Sequence, residues 1–138
     1  MTNHERATRL LDEAQAILQE MRGAGERGQR NLAARRAQEV VELVVKALLN
    51  EMGVEYPRTH DGAPLLVEEL RRRHLDADPP FLDWLRGISS RLAELRGPAF
   101  YHEVEVGEGE ARDAVDAAQR VLVAGQRLLA GLRSGSTR

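Results

Sequence analysis

Apolar side chains recur at three- and four-residue steps along most of the chain, and no stretch shows the alternating pattern of a strand. Ala7, Leu10, Leu11, Ala14, Ile17, Leu18 and Met21 form one such stripe. They predict an amphipathic helix from about Asn3 to Arg22, with Thr2 or Asn3 as N-cap. The segment GAGERGQ (residues 23–29) then reads as a flexible connection between helices. Gly23, Gly25 and Gly28 have the spacing of a dinucleotide-binding turn, but that turn needs a strand feeding it, and here a helix does. A second helix is predicted from about Asn31 to Met52. Its Val40, Val41, Val44, Val45, Leu48, Leu49 and Met52 span about half the circumference at roughly 100° per residue, wide enough to meet more than one neighbour. Glu39, Glu42 and Lys46 fall on the other side and read as a solvated face, with Glu42 and Lys46 an i,i+4 pair.

VEYPRTHDGAP reads as a loop, followed by a short helix around Pro64–Arg73 and the breaker DADPP. Phe81, Leu82, Trp84, Leu85, Ile88, Leu92 and Leu95 mark a further helix, expected to end near Gly97–Pro98, with a loop persisting to about Gly109. Ala111, Val115, Ala118, Leu122, Gly125 and Leu129 share a stripe on the last long helix. Residues 133–138, RSGSTR, are expected to be a disordered tail. The expectation is an all-α fold: one domain over residues 1–132, built as an antiparallel, up-and-down bundle of four to five helices.

Composition narrows the function. Only 4% of residues are aromatic, so the core is aliphatic, and a formal charge of −2 means that any grip on nucleic acid comes from a local patch. Nineteen of the twenty basic residues are Arg, which suits either a GC-rich coding bias or phosphate recognition. The absence of cysteine excludes disulfides, a thiolate nucleophile and Cys-based zinc sites. His4, His60, His74 and His102 stand in no metal-ligand spacing, so no metal and no cofactor is expected. No apolar run suits a membrane span or a signal peptide, which makes the cytoplasm the expected compartment. The basic run RRRH (71–74) reads as a helix end favoured by the helix dipole, or as a phosphate contact.

Two segments carry more: VEYPRTHDGAPLLVEEL (54–70) and LRGPAFYHEVEVGEGEARDAVDAAQRVL (95–122). Together with AQEVVELVVKALLNEMG, the Pro-x-x-His-Asp turn of Pro57 to Asp61 and the Arg-led block before the last helix, they resemble the HEPN family of small prokaryotic helical proteins. The resemblance covers roughly residues 30–130. It implies a helical bundle, commonly a homodimer, often encoded beside a minimal nucleotidyltransferase in a toxin–antitoxin-like module. Many HEPN proteins resemble metal-independent ribonucleases with an Arg and a His four to six residues apart, and Arg96 and His102 fit that pattern. A His can take the proton of a ribose 2′-hydroxyl while an Arg neutralises growing phosphate charge. Other members carry Arg-x-x-Ala-x-Tyr, matched here by Arg96, Ala99 and Tyr101; the Tyr that often follows the His by two residues is Val104 here. His60, Asp61, Arg58 and Tyr101 are the candidates for nucleotide or RNA contact, and Asp61 also suits an N-cap or Asx-turn role. Two alternatives stay open: a non-catalytic nucleotide-binding subunit of a nucleotidyltransferase, and a structural module using the wide second-helix stripe as its dimer surface.

Overall fold

The computed structural model describes residues 1–56, 58–75 and 78–135. Pro57 of the Pro-x-x-His-Asp turn, Asp76 and Ala77 of the expected breaker, and residues 136–138 lie outside the described residues. Five helices follow one another: α1 (Asn3–Glu26), α2 (Arg30–Glu51), α3 (Ala63–Arg72), α4 (Pro79–Phe100) and α5 (Glu108–Gly135). The described residues contain no strand. The fold is all-α, as the periodicity implies.

Helix ends differ from expectation in an instructive way. α1 runs straight through Gly23 and Gly25 and stops only at Gly28, where φ is +73°. There the Gln29 amide donates to Ala24 O and the Gly28 amide to Gly25 O, a Schellman cap that closes the last turn. α2 ends identically on Gly53, at φ +71°, with Val54 N–H donating to Leu49 O. A single left-handed residue, not glycine content, sets each boundary. α3 and α4 use the same cap with histidine in the left-handed position, His74 at φ 53° and His102 at φ 55°. Leu75 N–H donates to Leu70 O, and Glu103 N–H to Pro98 O. α4 therefore continues past the expected stop at Gly97–Pro98. Pro98 sits in the last turn, where it removes one N–H from the helix ladder, and its carbonyl is used by the cap.

α5 likewise extends to Gly135, three residues into the segment expected as a tail. Arg133 anchors it: its Nε donates to Glu51 Oε1 at 2.7 Å, and its Nη2 donates to His4 O and Thr8 Oγ1, each at 2.9 Å. The Glu51 carboxylate is 3% exposed and also meets His4, so one buried anion ties α1, α2 and α5 together.

α2 packs against each of the other four helices. The apolar stripe from Val40 to Leu49 is buried within the chain, which removes it as a dimer surface. At the α2–α5 crossing a Cβ on Gly125 would lie 2.3 Å from Val44 Cγ1. Val44 is buried and β-branched, with one favoured helical rotamer, and cannot swing aside. Gly125→Ala is expected to lose about 1–2 kcal/mol, overpacking of about 1–3 kcal/mol outweighing a helix-propensity gain of up to about 1 kcal/mol. Gly131→Ala, with nothing within 4 Å, is expected to gain stability. Urea midpoints for the two variants check the contrast.

Candidate functional site

α2 carries one polar residue in its otherwise apolar inner stripe, Gln38, which is 1% exposed. A buried amide must be satisfied, and three groups satisfy it. Its Nε2 donates to His60 O at 3.2 Å and to Glu42 Oε1 at 3.4 Å, while its Oε1 accepts from Arg96 Nη1 at 2.9 Å. One side chain thus joins the loop before α3 to the C-terminal half of α4. The second joint is Asp61, whose Oδ1 accepts from the buried Ser89 hydroxyl at 2.7 Å. The α3 N-cap is Gly62, so Asp61 fixes the loop to α4 instead of capping α3.

The side of α2 expected to be solvated is therefore partly covered. His60 Nδ1 lies 2.5 Å from Glu42 Oε1, and Lys46 Nζ lies 3.4 Å from Glu42 Oε2 while stacking over Tyr56. Burial alone would push the Glu42 carboxyl up. The His60 hydrogen bond, the Lys46 charge and the Gln38 amide outweigh it and hold the carboxyl below its ordinary range. Glu42 is consequently a carboxylate at neutral pH. As it can only accept, the proton between the two belongs to His60 Nδ1, and neutral His60 carries its lone pair on Nε2. Glu39 divides its carboxylate between Arg36 Nη1, at 2.8 Å, and Arg96 Nη1, at 3.5 Å.

Arg96 and His60 line one groove of about 510 Å³ with Glu94, Phe100 and Tyr101. Arg96 is one-third exposed; its Nη1 is held by Gln38 and Glu39, and its Nε and Nη2 make no hydrogen bond among the described residues. Phe100 and Tyr101 meet edge to face at 5.0 Å and are 52% and 71% exposed. Arg35 Cζ stacks 4.5 Å above Phe100 and lines a neighbouring cavity with Arg30 and His102. Arginines and exposed rings thus follow one another from one cavity to the next.

His102 is not in the Arg96 groove. Its Nδ1 lies 3.3 Å from Asn31 Nδ2, in the second cavity, and its backbone holds the left-handed cap position. Asn31, which sequence reasoning missed, organises this corner. Its Nδ2 donates to Ala99 O at 3.0 Å and Val104 O at 2.9 Å, and its Oδ1 accepts from Val106 N–H at 2.9 Å. Asn31→Asp replaces the donor by an oxygen facing two carbonyls. The isosteric change is expected to cost about 1–3 kcal/mol, as much as Asn31→Ala; thermal unfolding of both checks this.

Arg58 is exposed and lines a different cavity, with Arg6, Arg9 and Tyr56, so it does not join the groove. The RRRH run is largely neutralised: Arg71 pairs with Asp83, and Arg72 and Arg73 with Glu69. Among the described residues, no cluster of three or more His, Asp or Glu side chains is placed to hold a metal ion. No described helix is long and apolar enough to cross a membrane. The HEPN domain family model matches residues 7–128 of the chain. No match was found among curated proteins or among solved structures.

Proposed function

The chain belongs to the HEPN domain family, and from that premise we propose that it binds single-stranded RNA, or a nucleotide, through the His60–Arg96 groove. The observation that carries this reading is Arg96 itself. Gln38 and Glu39 fix one end of its guanidinium and leave Nε and Nη2 as a preformed pair of donors of the kind that grips phosphate. Tyr101 and Phe100 add faces on which unpaired bases stack, and base stacking on aromatic rings is worth about 1–3 kcal/mol each. The run of Arg96, Tyr101, Phe100, Arg35 and Arg30 favours a strand over a mononucleotide. His60 belongs to this contact set. Asp61 supports it from behind through Ser89, and Arg58, on another cavity, contributes only to a wider positive surface.

The chain works in this reading as a homodimer and as the toxin-like partner of a minimal nucleotidyltransferase. Cleavage by Arg96 and His102 together is a second reading. The two residues line separate cavities of one chain, so their joint action requires Arg96 of one protomer beside the partner's copy of the His102 corner. The exposed Phe100, Tyr101 and Val104 at that corner support such a contact.

The test is fluorescence anisotropy of a labelled, uncleavable 2′-O-methyl RNA titrated with the full chain in EDTA at several salt concentrations. Binding that weakens steeply with salt is expected; no binding at low salt contradicts the reading.

A further inference from the structure

We propose that the cleft between the first turns of α1 and the loop leaving α2 binds the polyphosphate group of a small ligand, held by Arg6, Arg9 and Arg58. The cleft measures about 740 Å³, a size suited to small molecules, and shares no lining residue with the cavities of Arg96 and His102. The proposal therefore stands independently of the RNA-binding reading. Arg6 and Arg9 lie three residues apart on α1, while Arg58 lines the cleft from the loop. All three are exposed, and among the described residues none of their guanidinium groups makes a hydrogen bond, an ion pair or a ring contact. The cavity that holds Arg22, Arg30 and Arg112 shows the contrast. There Arg22 donates to Gln119, Arg112 pairs with Glu108, and Glu26 stands on the wall. Three unpaired cations around one cleft repel one another and bond nothing in the fold, and an anion between them turns that repulsion into attraction.

The walls of the cleft are set before any ligand arrives. Gly53 closes α2 at φ +71°, Arg73 Nη1 donates to Met52 O at 3.0 Å, and Asn3 Nδ2 lies 3.6 Å from the place a Cβ on Gly53 would take. The start of α1 and the loop are thus packed against each other, so little ordering is left for binding to drive. Glu55 is the one carboxylate among the lining residues, which leaves an excess of two positive charges. A diphosphate or triphosphate matches both the excess and the number of guanidinium forks, each of which can hold phosphate oxygens in pairs. Leu10, Val54 and Tyr56, partly buried against the core, add an apolar floor for whatever body carries the phosphates.

The test is isothermal titration calorimetry of the full chain with sodium tripolyphosphate, pyrophosphate and citrate at one ionic strength. Tripolyphosphate is expected to bind one to one, and citrate, with carboxylates in place of phosphates, about tenfold or more weakly. Arg6→Ala, Arg9→Ala and Arg58→Ala are each expected to weaken tripolyphosphate about tenfold or more. Arg86→Ala makes the same charge change at an exposed position of α4 off the cleft and, like Arg96→Ala, is expected to leave the affinity unchanged. Thermal unfolding without ligand is expected to show the cleft variants folded, since the three side chains bond nothing in the fold. Isopentenyl diphosphate separates the two sources of the group: tighter binding than pyrophosphate assigns an organic ligand whose body lies on the apolar floor, and equal binding assigns an inorganic one. Absence of tripolyphosphate binding, wild-type affinity in the three cleft variants, an equal loss in Arg86→Ala, or citrate binding as tightly would overturn the proposal. Loss of binding in Arg96→Ala would place the anion in the other groove, and displacement of tripolyphosphate from the Arg96→Ala protein by 2′-O-methyl RNA would make the cleft an RNA contact; either result overturns the proposal as well.

Discussion

Arg96→Ala is expected to weaken binding of 2′-O-methyl RNA by about 10- to 100-fold. Charge-assisted hydrogen bonds to a phosphate contribute about 1.5–3 kcal/mol, and about 1.4 kcal/mol corresponds to each factor of ten. Arg96 is expected to reach the upper part of this range because its guanidinium is already oriented. Nη1 is committed to Gln38 and Glu39, so the remaining donors lose little freedom when phosphate arrives. Arg96→Lys keeps the charge but not the fork, and is expected to recover only a small part of the loss. Anisotropy titrations of the three proteins at one salt concentration check this, and the salt slope should fall by about one in the alanine variant. An alanine variant that binds like wild type would remove Arg96 from the interface.

Gln38→Ala is expected to lose about 2–4 kcal/mol of stability, read as a drop in Tm of roughly 6–14 °C for a chain of this size. Two costs combine. The side chain is 1% exposed, so truncation leaves a cavity, and it leaves the His60 carbonyl and Arg96 without their buried partner. Gln38→Met separates the two, because it nearly restores the volume without the amide. The methionine variant is expected to lose less than half as much stability while still weakening RNA binding, since nothing then fixes Arg96. Thermal unfolding and the same anisotropy titration check both. Equal stability losses in the two variants would mean that the amide alone carries the contribution, and a methionine variant that matches wild type in stability and binding would mean that Gln38 matters only as volume.

The helices were legible in the sequence because their apolar periods are long and consistent: the stripes of α1, α2 and α5 are buried as their spacing implies. Their ends were less so. Glycine is permissive inside a helix as well as at its end, and only Gly28 among the three of GAGERGQ takes a positive φ. His74 and His102 cap α3 and α4 in the same conformation, and nothing in local composition marks a histidine for that position. α4 passes Pro98 and closes on the Glu103 N–H bond to the Pro98 carbonyl, so the proline does not mark the helix end.

At the site, Arg96 and His60 were both visible as candidates, but their partnership was not. His60 lies in the loop before α3 and Arg96 on α4, and the link between them is made through Gln38 of α2. A signal for it does exist in the chain. Gln38 interrupts the stripe of Ala34, Val41 and Val45, as Ser89 interrupts that of Leu85 and Leu92. A lone polar residue on a buried face implies a buried partner, and here the partners are the groove residues. Spacing along the sequence linked Arg96 with His102; within one chain the cap after Tyr101 sets His102 beside Asn31. Asn31 had no such signal, standing at the first turn of α2 like an ordinary helix-start residue.

The most direct test of the proposed RNA-binding groove is a two-dimensional NMR titration of the full chain with 2′-O-methyl RNA, following the Arg Nε–H and His ring resonances assigned through single substitutions. The His60 ring and the Arg96 Nε–H signals are expected to shift together, saturating at the affinity seen by anisotropy. Saturable shifts confined to the His102 and Asn31 corner, with His60 and Arg96 unmoved, would contradict the account.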